Sequence, residues 1–177
     1  MPPNLAKPIY FGPFLVNSQV FHTTPHTFIL TNLRPLLPGH TLVCPLRPCP
    51  RLSDLTPPEI TDLFLTVQRL QKTLRRVYKA TAFNVAVQDG KDAGQTVPHV
   101  HVHVIPRQAK DMDSKGGGDR LYEMLEGDEG DIAKELLNKE KKPTFKPDSE
   151  RTDRSSEEME KEAAWLAGEM AKDDSVE

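Results

Sequence analysis

The sequence predicts an α+β fold: an antiparallel sheet of about five strands, with one long helix packed on it and a C-terminal helix. Three observations predict it. Between residues 10 and 107, short bursts of apolar and β-branched residues are separated by clusters of Pro, Gly and Asp, the pattern of strands joined by turns. Residues 57–78 carry one apolar stripe at three- and four-residue spacing, which a helix gathers on a single side. Residues 97–105 alternate histidine and valine, so one strand presents two chemically unlike faces.

The elements follow in order. Residues 10–20 and 27–32 read as two strands with HTTPH as the turn between them, which makes His22 and His26 surface loop residues. In NLRPLLPGH, Pro35 and Pro38 withhold ladder hydrogen bonds, and Pro38-Gly39 signals a reversal before Thr41. TLVCPL is the next strand. Cys44 in it and Cys49 in the loop beyond are read as reduced thiols, because an extended chain holds such near neighbours out of disulfide geometry.

Thr56-Pro57-Pro58-Glu59 is a helix start: Thr56 caps, Pro57 fits the first helical position and Glu59 bonds back. Ile60, Leu63, Phe64, Val67, Leu70, Leu74, Val77 and Tyr78 then form the stripe, over roughly six turns. FNVAVQ sets Phe83, Val85 and Val87 on one side and Asn84, Ala86 and Gln88 on the other, with DGKDAG as the following turn. In the strand after it the valines are expected to face the core and His99, His101 and His103 to face out of it together.

The predicted organisation is a core over 1–107, a polar and largely flexible loop over 108–154, and a helix and tail over 155–177. Residues 108–154 are rich in Lys, Asp, Glu and Gly, with GGG at 116–118, and contain at most short helical pieces between residues 120 and 137. Ser155 and Glu158 form a capping-box pair, and Met159, Ala163, Leu166, Ala167 and Met170 follow at helical spacing. The stripe is weak, so nothing local says where this helix docks.

A formal net charge of -3 and a pI near 6.1 exclude a nucleic-acid coat or a polybasic membrane surface, and no stretch approaches transmembrane length. The first residues, MPPNLAKPIYFGPF, lack the charged and apolar regions of a secretory signal. The expectation is therefore a cytoplasmic protein, with the nucleus as a second compartment, acting on a small molecule.

Half of the six histidines fall within five residues, which no packing argument demands. Three imidazoles on one strand face, about 7 Å apart at each two-residue step, can line one site. Imidazole titrates near neutrality, so such a row can supply a neutral nucleophile beside a proton-bearing neighbour, as nucleotidyl or phosphoryl transfer needs. Two other readings of the spacing stand beside this one: a solvated strand face, and a zinc site with three histidine ligands. GKDAGQT looks glycine-rich but lacks the Gly-Lys-Ser/Thr ending of a phosphate-binding P-loop.

QTVPHVHVHVIPR resembles the alternating signature of the histidine triad superfamily, and is similar in particular to its fragile histidine triad branch, the dinucleoside triphosphate hydrolases. LTNLRPLLPGHTLVCPLRP, LTPPEITDLF and VQDGKDAGQTV fall in the matching order, with weaker echoes in RLYEML and SSEEMEKEAAWL. The resemblance implies catalytic roles for His101, His99, His103 and His40. His101 would attack the α-phosphorus and form a covalent nucleotidyl-imidazole. His103 would contact phosphate and bridging oxygens, His99 would position the nucleophile and His40 would orient the row from behind. It also implies substrate contacts at Asn32 (ribose) and at Gln88, Gly94, Gln95, Thr96 and Val97 (phosphates). The residues alone leave these six as turn, strand or loop positions.

The implied reaction is hydrolysis of dinucleoside polyphosphates, preferably diadenosine triphosphate to AMP and ADP. No tightly bound cofactor or protein-held metal is implied, only a divalent cation (Mg or Mn) carried on the substrate phosphates. The implied assembly is a homodimer that extends the sheet, with neither nucleic acid nor membrane as partner. Phe14 departs from the branch, standing where a polar base-contacting residue is common. The rivals are a nucleoside phosphoramidate hydrolase and a nucleotide-binding signalling module whose bound complex is the output.

Overall fold

The computed structural model describes residues 7–127 and 154–174 of the 177-residue chain. A two-residue hairpin opens it, β1 (Tyr10–Phe11) paired with β2 (Phe14–Leu15). Gly12 sits at φ 56°, as the first central residue of such a tight loop requires. Then come β3 (Val20–Thr23), β4 (Thr27–Thr31), β5 (Thr41–Pro45), the helix α1 (Pro57–Tyr78), β6 (Ala82–Val87), β7 (Val102–Arg107), α2 (Arg120–Gly127) and α3 (Ser156–Asp174). Strands β3 to β7 form one antiparallel sheet in the order β3-β4-β5-β7-β6. This is the predicted α+β architecture.

The start of α1 is built as its cap residues dictate: the Thr56 amide donates to Glu59 Oε2 at 2.8 Å, and Pro57 begins the helix. Its stripe seats Leu63, Val67, Leu70 and Leu74 on one face of the sheet, beside Ala163, Leu166 and Met170 of α3, over Phe21, Ile29, Val43, Val102 and Val104. α3 thus docks firmly despite its weak amphipathicity, and its capping box forms, with the Ser155 amide on Glu158 Oε2 at 2.8 Å.

The opposite face carries two apolar groups. Phe28, Leu30, Leu42 and Cys44 pack under Ile9, Phe11, Val16 and Val97. Ile105 packs with Leu36, Leu37, Met112, Leu121 and Leu125.

Several expectations need correction. Residues 10–20 are not one strand, because Gly12-Pro13 folds them into a hairpin and the sheet strand begins only at Val20. His22 lies in β3 rather than in a loop, whereas His26 is an exposed turn residue. Phe64 is 42 % exposed, since it lies about 100° around the helix from Leu63 and off the packed stripe. Val85 faces the helix side as expected but is also 42 % exposed, because β6 is the terminal strand of the sheet. Residues 108–127 were expected within a flexible loop, yet they fold onto the core through Met112, Leu121 and Leu125. The remainder of that predicted loop, 128–153, lies outside the described residues, as does most of the tail. Cys44 and Cys49 are free thiols, both buried.

Candidate active site

The histidines do not face out of the protein. β7 begins at Val102, so only His103 of the three lies in the strand, and the alternation over 97–101 is not regular strand. There the His99 amide turns back onto the Val97 carbonyl at 2.7 Å. The bend brings the His101 and His103 rings to 4.7 Å between centroids, closer than the roughly 7 Å of a flat strand. His40, from the loop entering β5, extends the row with its ring 5.2 Å from His103. None of the four exceeds 5 % exposure, and the β1–β2 hairpin folds over two of them: Phe11 meets His99 at 5.5 Å and His101 edge-on at 5.1 Å.

Backbone groups assign the tautomers. The Gly12 amide donates to His99 Nδ1 at 3.0 Å, so His99 carries its hydrogen on Nε2 and donates to the Pro45 carbonyl at 2.8 Å. The Leu36 amide donates to His40 Nδ1 at 3.2 Å. His40 therefore donates from Nε2 to His103 Nδ1 at 3.0 Å, which leaves the His103 hydrogen on Nε2. His101 Nδ1 lies 2.9 Å from the His99 carbonyl, an acceptor, so Nδ1 carries the hydrogen and Nε2 an open lone pair.

That lone pair is the one a nucleophile needs. Burial lowers the His101 pKa to about 4, so the ring is neutral at pH 7. Burial holds His99 and His103 below the ordinary range as well, and His103 is also opposed by its neighbours His101 and His40. The same hydrogen bonds bear on the zinc reading. Nδ1 is already an acceptor in His40, His99 and His103, so the row presents one free imidazole lone pair rather than three.

A cavity of about 590 Å³, within the size range of small-molecule sites, shares walls with the neighbours of the row, Phe11 beside His99 and His101 and Asn32 beside His40, although no histidine lines it. Phe11, Phe14, Leu30 and Leu42 supply apolar walls, and Asn32 and Arg154 supply polar ones. Leu42 pairs in register with His103, so the cavity and the row share a sheet face. Asn32 is buried: its Oδ1 accepts from the Arg34 amide at 3.0 Å, and its Nδ2 lies 3.2 Å from His40 Nε2.

The remaining predicted residues are brought only partly together. Ala86 pairs with His103, which puts Gln88, two residues on, on the histidine face. Its Nε2 donates to the Leu125 carbonyl at 2.9 Å, and a side chain at Gly94 would meet that nitrogen at 2.5 Å. Gly94, at φ 86°, is thus required twice over. Gln95 turns its amide to the Pro50 carbonyl at 2.8 Å. Val97 places its side chain in the core, leaving its backbone to line the approach to His99. Thr96 is half-buried in the same loop.

Three contributors escaped sequence reading. Gly12 and the Pro45 carbonyl fix His99, and Arg154 lines the cavity. Only Gly12, in a Gly-Pro pair, carried a local signal, that of a turn.

The HIT domain family matches residues 15–110, more than half of the chain. The chain belongs to that family. Among similar proteins, the asymmetrical bis(5'-nucleosyl)-tetraphosphatase of Schizosaccharomyces pombe is 47 % identical over 176 residues, covering 93 % of this chain and 95 % of its own. The bis(5'-adenosyl)-triphosphatase of Dictyostelium discoideum is 43 % identical over 158 residues and 89 % of either chain. The solved diadenosine triphosphate hydrolase of Plasmodium falciparum superposes with a TM-score of 0.71 at 28 % identity, over 97 % of this chain and 90 % of that one. These relatives put this HIT domain in the fragile histidine triad branch.

Proposed function

We propose that the chain hydrolyses dinucleoside polyphosphates, diadenosine triphosphate to AMP and ADP in the first place, through a nucleotidyl-histidine intermediate. One observation carries the reading: the neutral, backbone-oriented lone pair of His101 Nε2, packed against Phe11, whose ring is also a wall of the 590 Å³ cavity. The lone pair attacks the α-phosphorus; a P–N bond forms, the bridging P–O bond breaks, and its electron pair leaves with the nucleoside diphosphate. The imidazolium so formed keeps its Nδ1–H on the His99 carbonyl, which is already in place to stabilise the charge. His103 Nε2–H faces the phosphate and bridging oxygens. Water then breaks the P–N bond, releasing AMP and neutral His101.

Asn32 takes the ribose hydroxyls. Gln88 Nε2 and the 94–97 backbone take phosphate oxygens, with Gly94 keeping space for the amide. A divalent cation, Mg or Mn, travels on the phosphates; among the described residues no group of three or more His, Cys, Asp or Glu is placed to hold it. The exposed edge of β6 around Val85 supports a homodimer that continues the sheet, and sedimentation of Val85→Asp against the wild type tests this. The protein acts in the cytoplasm, with the nucleus as a second compartment.

The name of the Schizosaccharomyces pombe relative favours a second reading of chain length, with the tetraphosphate as the better substrate. The test is turnover of diadenosine triphosphate and tetraphosphate with products separated by chromatography, wild type against His101→Ala. AMP plus ADP from the wild type and almost none from the variant establishes hydrolase and nucleophile together. A much faster tetraphosphate reaction shifts the preference. Turnover of neither, with hydrolysis of a nucleoside phosphoramidate or tight binding without turnover, overturns the proposal in favour of those rivals.

A further inference from the structure

Pairing of β4 with β5 ends at Thr31↔Thr41, so the carbonyls of Asn32 and Leu33 leave the ladder just where the cavity wall begins. Buried carbonyls there need other donors. Arg154, immediately ahead of α3 and 122 positions away in sequence, supplies them. Its Nε and Nη2 donate to the Asn32 carbonyl at 3.1 and 2.6 Å, and its own amide donates to the Leu33 carbonyl at 3.2 Å. The third guanidinium nitrogen is fixed on Glu162 Oε2 at 2.6 Å, and Glu162 Oε1 accepts from the Tyr78 hydroxyl at 3.1 Å. A lysine cannot reproduce this, because one ammonium does not span two acceptors in a planar fork. Arg154, Ser155, Ser156 and buried Met159 also form a cavity wall that no residue of the 15–110 match provides.

We propose that Arg154 is a positioning residue for substrate: it holds Asn32 at the nucleoside cavity, so that the start of α3 sets how tightly a nucleoside is bound. The inference rests on the reading of that cavity as the nucleoside site. Asn32 lines the cavity and neighbours His40, but His101 is oriented separately by the His99 carbonyl. Loosening Asn32 therefore weakens binding and spares the attack.

The experiment measures kcat and KM for diadenosine triphosphate, with thermal stability, in wild type, Arg154→Gln, Arg154→Lys, Glu162→Gln and Arg76→Gln. Arg76 ties the other end of α3 through Glu169 and Asp173 and touches nothing in the cavity, so it reports on helix docking alone. Arg154→Gln is expected to raise KM about tenfold or more with kcat within about twofold, since charge-assisted hydrogen bonds to a buried carbonyl are lost. Arg154→Lys recovers part of that loss and Glu162→Gln shows a smaller rise. Arg76→Gln lowers the melting temperature without moving KM. An unchanged KM in the Arg154 variants, or an equal rise in Arg76→Gln, overturns the proposal. Should Arg154→Gln fail to fold, Arg154→Lys and Glu162→Gln decide by the same split. Absence of wild-type turnover would instead strike the reading of the site itself.

Discussion

The two faces of the central sheet are held by different physics. On the helix side, Val43, Val102 and Val104 meet Leu63, Leu70, Leu74 and Leu166 through apolar burial, which has no preferred direction. On the other side, hydrogen bonds of fixed direction hold the row: the Leu36 and Gly12 amides donate to His40 and His99, the Pro45 and His99 carbonyls accept from His99 and His101, and His40 donates to His103. A single residue step along β7 passes from one regime to the other. The contrast teaches that stability and chemistry are separable here, since side chains on either face can be changed without removing the groups that define the other.

The largest expected break of that contrast is His101→Ala. It removes the attacking atom and should lower kcat by about 10⁴-fold or more, while the melting temperature stays near that of the wild type. Leu70→Ala does the opposite: a fully buried side chain is lost from the helix face, costing about 3 kcal/mol of stability by chemical denaturation, with KM unchanged while the protein remains folded.

Acid sharpens the comparison further. The folded His101 pKa of about 4 lies below the unfolded value, so the unfolded chain takes up a proton first as pH falls. No penalty is present above about pH 6.5; it builds up between there and pH 4, to roughly 3 kcal/mol of lost stability from this ring. His99 and His103 act in the same direction. Denaturation across that range should show the loss, while the acid limb of kcat/KM falls near pH 4 and not near 6.5.

A smaller effect tests whether the hairpin orients the row. Gly12→Ala places a side chain at positive φ and 2.5 Å from Val97, so the hairpin must shift and its amide leaves His99 Nδ1. The expected result is a kcat lower by about tenfold, with a stability cost of about 1–2 kcal/mol. An unaltered kcat would mean that His99 does not depend on the hairpin.

What the sequence made legible was local. The capping boxes at Thr56 and Ser155, most of the α1 stripe and the common side of Asn84, Ala86 and Gln88 follow from spacing alone, and the structure has them. The burial of the histidine row was not legible. Alternation shows that two faces differ, but which face is covered depends on residues 9–16 folding back across the sheet, a contact made from far along the chain. Met112, Leu121 and Leu125 were masked by the charges around them, because three apolar residues suffice when a patch around Ile105 awaits them. Arg154 sat in a run of polar residues, and nothing in its neighbours distinguishes an arginine that clamps Asn32 from one in water.

The most direct test of the central claim is the stereochemical course at the attacked phosphorus. It uses a dinucleoside triphosphate made chiral at that centre by sulfur and oxygen isotopes, hydrolysed by the intact protein. Attack by His101 followed by water inverts the centre twice, so overall retention is the expected result. Inversion would mean that water attacks directly and that His101 is not the nucleophile.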